Sequence, residues 1–134
     1  MAVSRTIDKV AWIHTEDGRI LSTLSRGKSR YYIPGGKREG DETDLETLER
    51  EIREELSIEL NVADAKFVGI FEAQADSHAE GISVVMTCYE CPYEGEIRAA
   101  SEIAEVVWLD YAGKHQSSPV DQIIFDWLHQ RGRL

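Results

Sequence analysis

Glu51, Glu54 and Glu55 are the residues of this chain whose type and spacing best suit chemistry. They fall at i, i+3 and i+4, so a helix projects them from one face. Leu45, Leu48, Ile52 and Leu56 gather on another face, centred about 100° away. Such a helix buries one side and holds three carboxylates at its edge. Like charges at that spacing repel by a few tenths of a kcal/mol per exposed pair, and by more when partly buried. A helix built only for stability would carry Lys or Arg in those places. A divalent cation would neutralise the cluster. Ligands that are all carboxylate oxygens suit Mg²⁺, Mn²⁺ or Ca²⁺ rather than Zn²⁺.

The elements that must position these residues can be read in order. Lys9–His14 and Ile20–Leu24 read as strands joined by a turn at Glu16-Asp17-Gly18-Arg19. Tyr31-Tyr32-Ile33 reads as a short strand that ends at Pro34. It delivers the chain into the Gly35-Gly36 turn, where a backbone without side chains can approach a ligand closely. Thr43 or Asp44 caps a helix running from about Leu45 to Leu56. Strands follow at Lys66–Glu72, Ile82–Cys91 and Val106–Leu109. A polar loop at 73–81, holding His78, separates the first two. Ser118 caps a last helix with Pro119 at its first position, and Val120, Ile123, Ile124, Trp127 and Leu128 form its apolar stripe. Two helices and a mixed sheet of about six strands predict an α/β/α sandwich in a single domain, 1–134.

The stretch from Gly36 to Ile58 resembles the box that defines the Nudix hydrolases. Gly36, Glu42, Arg50, Glu51, Ile52, Glu54, Glu55 and Ile58 all match it, and Ile33-Pro34-Gly35-Gly36-Lys37 is similar to its usual entry. Chance agreement at these positions is on the order of one in ten million per register. Ser57 stands where the box has Gly. Ser at positive φ is strained by roughly 1 kcal/mol, whereas Asn61 tolerates that conformation, so the helix stop is expected to shift towards Asn61.

The resemblance implies an α/β/α fold and hydrolysis of a nucleoside diphosphate linked to a second moiety, assisted by Mg²⁺ with Mn²⁺ as a substitute. Metal ions would neutralise phosphate charge and lower the pKa of the attacking water. Carried over by position, Glu51, Glu54 and Glu55 would be metal ligands, and Glu51 or Glu54 would serve as or orient the general base. The Gly35 carbonyl would be a further ligand, with Gly36, Lys37 and Glu42 near the substrate. Arg50 would hold the glutamates through hydrogen bonds. Glu102, six residues before Trp108, would complete the metal site, with Glu105 as its rival. The length favours a MutT-like nucleoside triphosphate pyrophosphohydrolase releasing a monophosphate and pyrophosphate. The alternatives are an ADP-ribose or nucleotide-sugar pyrophosphatase and a non-catalytic nucleotide sensor. The segment Glu72–Asp76 lacks the Pro or Tyr that marks some subfamilies.

Composition narrows the partners. The 134 residues carry a net charge of −10, with a pI near 4.8. That field repels nucleic acid and anionic membranes, and repels a nucleotide too unless cations reverse the sign locally. With no apolar run behind the N-terminus, a cytoplasmic location is expected. Cys88 and Cys91 have no second ligand pair for zinc and fit a reducing compartment. On a strand their spacing sends them to opposite faces. Trp12 and Trp108 read as core residues. The fold is compatible with a homodimer, although no stripe identifies an interface.

Overall fold

Alternation along the first strand decides the architecture. Ile7, Ala11 and Ile13 enter one apolar cluster, while Val10 and Trp12 enter another on the opposite side. A strand buried on both faces needs a cover on each. The computed structural model, which describes residues 5–75 and 81–134, provides one helix per face. Its elements are β1 (Arg5–Trp12), β2 (Thr15–Glu16), β3 (Arg19–Ser25), β4 (Gly35–Lys37), α1 (Asp44–Leu56), β5 (Glu59–Leu60), β6 (Lys66–Gln74), β7 (Ile82–Glu90), β8 (Tyr93–Glu94), β9 (Ile103–Leu109) and α2 (Pro119–Gln130). The main sheet has the order β4-β1-β7-β6. β1 pairs parallel with β7, and the other two pairings are antiparallel, so the sheet is mixed. A second sheet, β2-β3-β9, is antiparallel, and β5 and β8 form a small ribbon. Leu48, Ile52 and Leu56 of α1 pack with Val10 and Trp12; Val120, Ile124, Phe125 and Leu128 of α2 pack with Ile7, Ala11 and Val84. This is the expected α/β/α sandwich.

α1 is fixed at both ends by local chemistry. The Thr43 hydroxyl accepts from the Glu46 amide, and the Glu46 carboxylate accepts from the Thr43 amide, which completes a capping box. At the other end Ser57 itself takes the left-handed conformation, with φ 62°, and its amide donates to the Arg53 carbonyl. The stop therefore does not move to Asn61, whose φ is −88°. Ile58 lies just beyond, 1% exposed, and its burial fixes where the helix must turn.

Other expectations are corrected. Gly35-Gly36 is strand rather than turn, because Val10 and Ala11 offer a free edge that these residues pair with. Tyr31 and Tyr32 make only isolated bridges, to Ser117 and Thr23. Trp108 is 36% exposed, whereas Trp12 is fully buried and donates from Nε1 to the Cys91 carbonyl. Ile123 of α2 faces outward at 41% exposure, and Phe125 takes the core place instead. Cys88 and Cys91 lie in the two different clusters as free thiols. His78 lies outside the described residues. No helix among the described residues is long and apolar enough to cross a membrane.

Candidate active site

β4 and α1 bring the glycines against the glutamates. Gly35 has φ +152°, and a Cβ there would stand 2.1 Å from the Val10 carbonyl oxygen. Only glycine fits this approach to β1. A Cβ on Gly36 would stand 2.4 Å from the carboxyl carbon of Glu51. The Glu51 carboxylate thus lies directly on the Gly36 backbone. The Gly35 amide donates to Oε1 of Glu55 at 3.0 Å. The two glycines and two of the helix glutamates form one unit.

Arg50 holds this unit from behind. Its Nε and Nη2 donate to the two oxygens of Glu42 at 2.8 and 2.9 Å, Nη1 donates to Oε1 of Glu51 at 2.9 Å, and Nη2 also reaches the Lys37 carbonyl. Glu54 lies 3.5 Å from Nη1 with its side chain half exposed. Glu42 further accepts from the Glu39 amide and the Thr47 hydroxyl. The Arg50 hydrogen bonds hold the Glu42 carboxyl down at about 2. Burial pushes the Glu51 carboxyl up, against the pull of Arg50.

Glu55 is 6% exposed although it carries a carboxyl. Burial pushes it up to about 8, reinforced by the charges of Glu51 and Glu102. The contact between the Glu55 and Glu102 carboxyls adds to the rise of Glu55 and to the fall of Glu102. Hydrogen bonds, led by that of Ser101, hold the Glu102 carboxyl below the ordinary carboxylate range. Glu102 sits on the exposed rim just before β9. Its rival Glu105 points elsewhere and accepts from the Tyr31 hydroxyl.

A cavity of about 400 Å³ opens in front of this group. Glu51, Glu55, Glu102, Gly35, Gly36 and Lys37 line it. Glu42 and Glu54 are not among its lining residues; both engage Arg50. Among the described residues, no three acidic, His or Cys side chains already surround one point as an ion's ligands. The donor set nonetheless suits a hard cation. Three carboxylates share one cavity, and burial, which pushes Glu51 and Glu55 up, makes a bound cation the natural partner for their charged forms.

Lys9 was not among the sequence candidates. It lines the same cavity beside Tyr32, with Nζ 5.8 Å from the ring centroid. A lysine at an inward position of an otherwise apolar strand, between Ile7 and Ala11, was the available signal. It reads as an ordinary strand lysine until the cavity is known.

A model of the NUDIX domain matches residues 5–128. The chain belongs to the Nudix family. Nudix hydrolases act on nucleotide-type small molecules and generally use divalent metal ions, and this one is a pyrophosphohydrolase. The fold is similar to the E. coli ORF135 protein in solution, at 26% identity and a TM-score of 0.73, covering 96% of this chain and 92% of that one. It is also similar to a MutT NUDIX hydrolase from Burkholderia pseudomallei, at 23% identity and a TM-score of 0.68, covering 81% and 86% of the two chains. A UDP-X diphosphatase shares the fold at 18% identity and a TM-score of 0.65, covering 100% of this chain and 67% of that one. Comparison with curated proteins found no match.

Proposed function

We propose that this Nudix hydrolase is a Mg²⁺-dependent nucleoside triphosphate pyrophosphohydrolase that releases a nucleoside monophosphate and pyrophosphate. The observation that carries the reading is the packing of the Glu51 carboxylate on Gly36, inside a cavity shared with Glu55 and Glu102. Pockets for a single small ligand span roughly 300–1,000 Å³. This one, at about 400 Å³, is at the small end and favours one nucleoside over two.

Glu51, Glu54, Glu55 and Glu102, with the Gly35 carbonyl, would hold Mg²⁺. The bound ion would neutralise phosphate charge and make water more acidic. Arg50 occupies Oε1 of Glu51 and leaves Oε2 to accept the proton of the attacking water. Glu42 orients Arg50 through its paired hydrogen bonds and so acts on the reaction indirectly. The Gly36 backbone and Lys37 border the phosphates from β4. Lys37 is exposed, and a flexible ammonium there supplies charge without fixed geometry.

A product assay tests the reading. Purified protein with Mg²⁺ is given nucleoside triphosphates, ADP-ribose, nucleotide sugars and dinucleoside polyphosphates. Monophosphate plus pyrophosphate from a triphosphate is the expected result. Cleavage of the diphosphate-linked compounds alone would replace it with a nucleotide-sugar or ADP-ribose pyrophosphatase. Tight nucleotide binding without turnover would make the domain a sensor.

A further inference from the structure

The cavity carries three lysines, and they are not equivalent. Lys28 and Lys37 are exposed at its mouth, whereas Lys9 rises from the middle of the central strand and is partly buried. Along one face of β1, Ala11 stands opposite Gly35 at the carboxylate end, and Ile7 stands opposite Val84 at the other. Lys9, opposite Met86 on β7 and Lys37 on β4, lies between them. The same cavity is lined by Ile7, Val84, Met86, Val120 and the Tyr32 ring, together with the polar Thr23 and Ser118. Its apolar side chains and aromatic ring suit the faces of a planar ring better than a phosphate.

Lys9 faces charges from several elements. Asp121 on α2 and Glu55 on α1 attract it, while Lys37 and Lys28 repel it. Asp121 accepts from the Ile33 amide at 2.9 Å through Oδ2. The described contact of the Lys9 ammonium is with the Tyr32 ring. A primary amine donates hydrogen bonds whether or not it is protonated, so burial does not remove its preference for an acceptor.

We propose that Lys9 is a specificity-determining residue that donates to a carbonyl oxygen on the substrate's base. The pocket would then take bases that carry a ring carbonyl in preference to adenine, which presents an amino group instead. This rests on the nucleotide reading of the site. The exposed Lys28 and Lys37 stand at the mouth for the phosphates, and the lysine deep in the cavity meets the base.

Inosine and adenosine monophosphates have similar purine size and differ chiefly in this oxygen, so they isolate the contact. Binding of each to the whole protein with Mg²⁺ is measured by calorimetry, which needs no hydrolysis. Inosine monophosphate is expected to bind about tenfold more tightly than adenosine monophosphate. Lys9→Met should remove that difference by weakening the inosine compound alone. Lys9→Gln, which keeps a shorter donor, should retain part of it and serves as the second variant if the first does not fold. Equal binding of the two by the native protein would overturn the proposal. So would an equal loss of both in Lys9→Met, since Lys9 would then grip the phosphate. Binding of neither compound would also overturn it. A preserved inosine preference in a protein that cleaves no triphosphate would refute the hydrolytic reading and leave Lys9 in this role.

Discussion

At the scale of single residues, the site depends on contacts with no room to spare. Gly36→Ala places a methyl group where the Glu51 carboxylate now lies, 2.4 Å from its carboxyl carbon. That carboxylate must swing away from Arg50 and from the cavity. Steady-state kinetics on Gly36→Ala should show kcat reduced at least roughly 100-fold, in a protein that still melts cooperatively. Glu54→Gln preserves shape and removes one charge from a half-exposed side chain. Its melting temperature should stay within a degree or two, since surface substitutions usually change stability by less than about 0.5 kcal/mol. Its hydrolysis rate should nevertheless fall by about 100-fold or more, as expected for loss of a metal ligand. Undiminished turnover in folded Glu54→Gln would show that Arg50 alone is its partner. That Glu51, Glu54 and Glu55 project from one helix was legible in the sequence because helical spacing is a local property. The place of Lys9 in the cavity was not, because that cavity is assembled with β7 and α2, which meet β1 only through long-range contacts.

At the scale of elements, α1 is well specified at its start and strained at its end. Ser57 holds φ 62° without a glycine's freedom. Ser57→Gly should relieve roughly 1 kcal/mol and raise the melting temperature by about 3–4 °C in calorimetry. No change would mean that the hydroxyl compensates for the strain. The apolar faces of α1 and α2 were readable from periodicity, except that Phe125 displaces Ile123, because the helix tilts its stripe towards β6 and β7. The strand content of Gly35–Lys37 was not readable. Two glycines have no strand propensity of their own, and the edge of β1 imposes the conformation. The exposure of Trp108 was likewise invisible, since β9 lies at the edge of its small sheet and one of its faces meets solvent.

At the scale of the molecule, acid groups set opposite dependences on pH. Glu55 has an ordinary value of 4.5 and is raised to about 8 in the folded protein. Between those values the folded state holds a proton that the unfolded state has released. Its contribution therefore falls as pH rises, by at most roughly 1.4 kcal/mol per pH unit. Metal-free protein should melt at a lower temperature at pH 8 than at pH 6, and Glu55→Gln should flatten that slope. Mg²⁺ should raise the melting temperature more at pH 8 than at pH 6, because binding displaces the proton. Glu42 works in the other direction. Held at about 2 by Arg50, it contributes stability that is present above its ordinary value of 4.5 and is lost as pH falls towards 2.

The pairing of β1 with β7 has a consequence for how the protein is made. Arg5 pairs with Ile82 and Trp12 with Tyr89, so β1 meets its central neighbour only after the 69 residues between Trp12 and Ile82 have been made. Until then Val10, Ala11, Trp12 and Ile13, all destined for complete or near-complete burial, have only the short β4 beside them in the main sheet. The capped α1 can form in the meantime from local interactions alone. Folding during synthesis thus leaves one side of the future centre of the molecule uncovered until β7 is made.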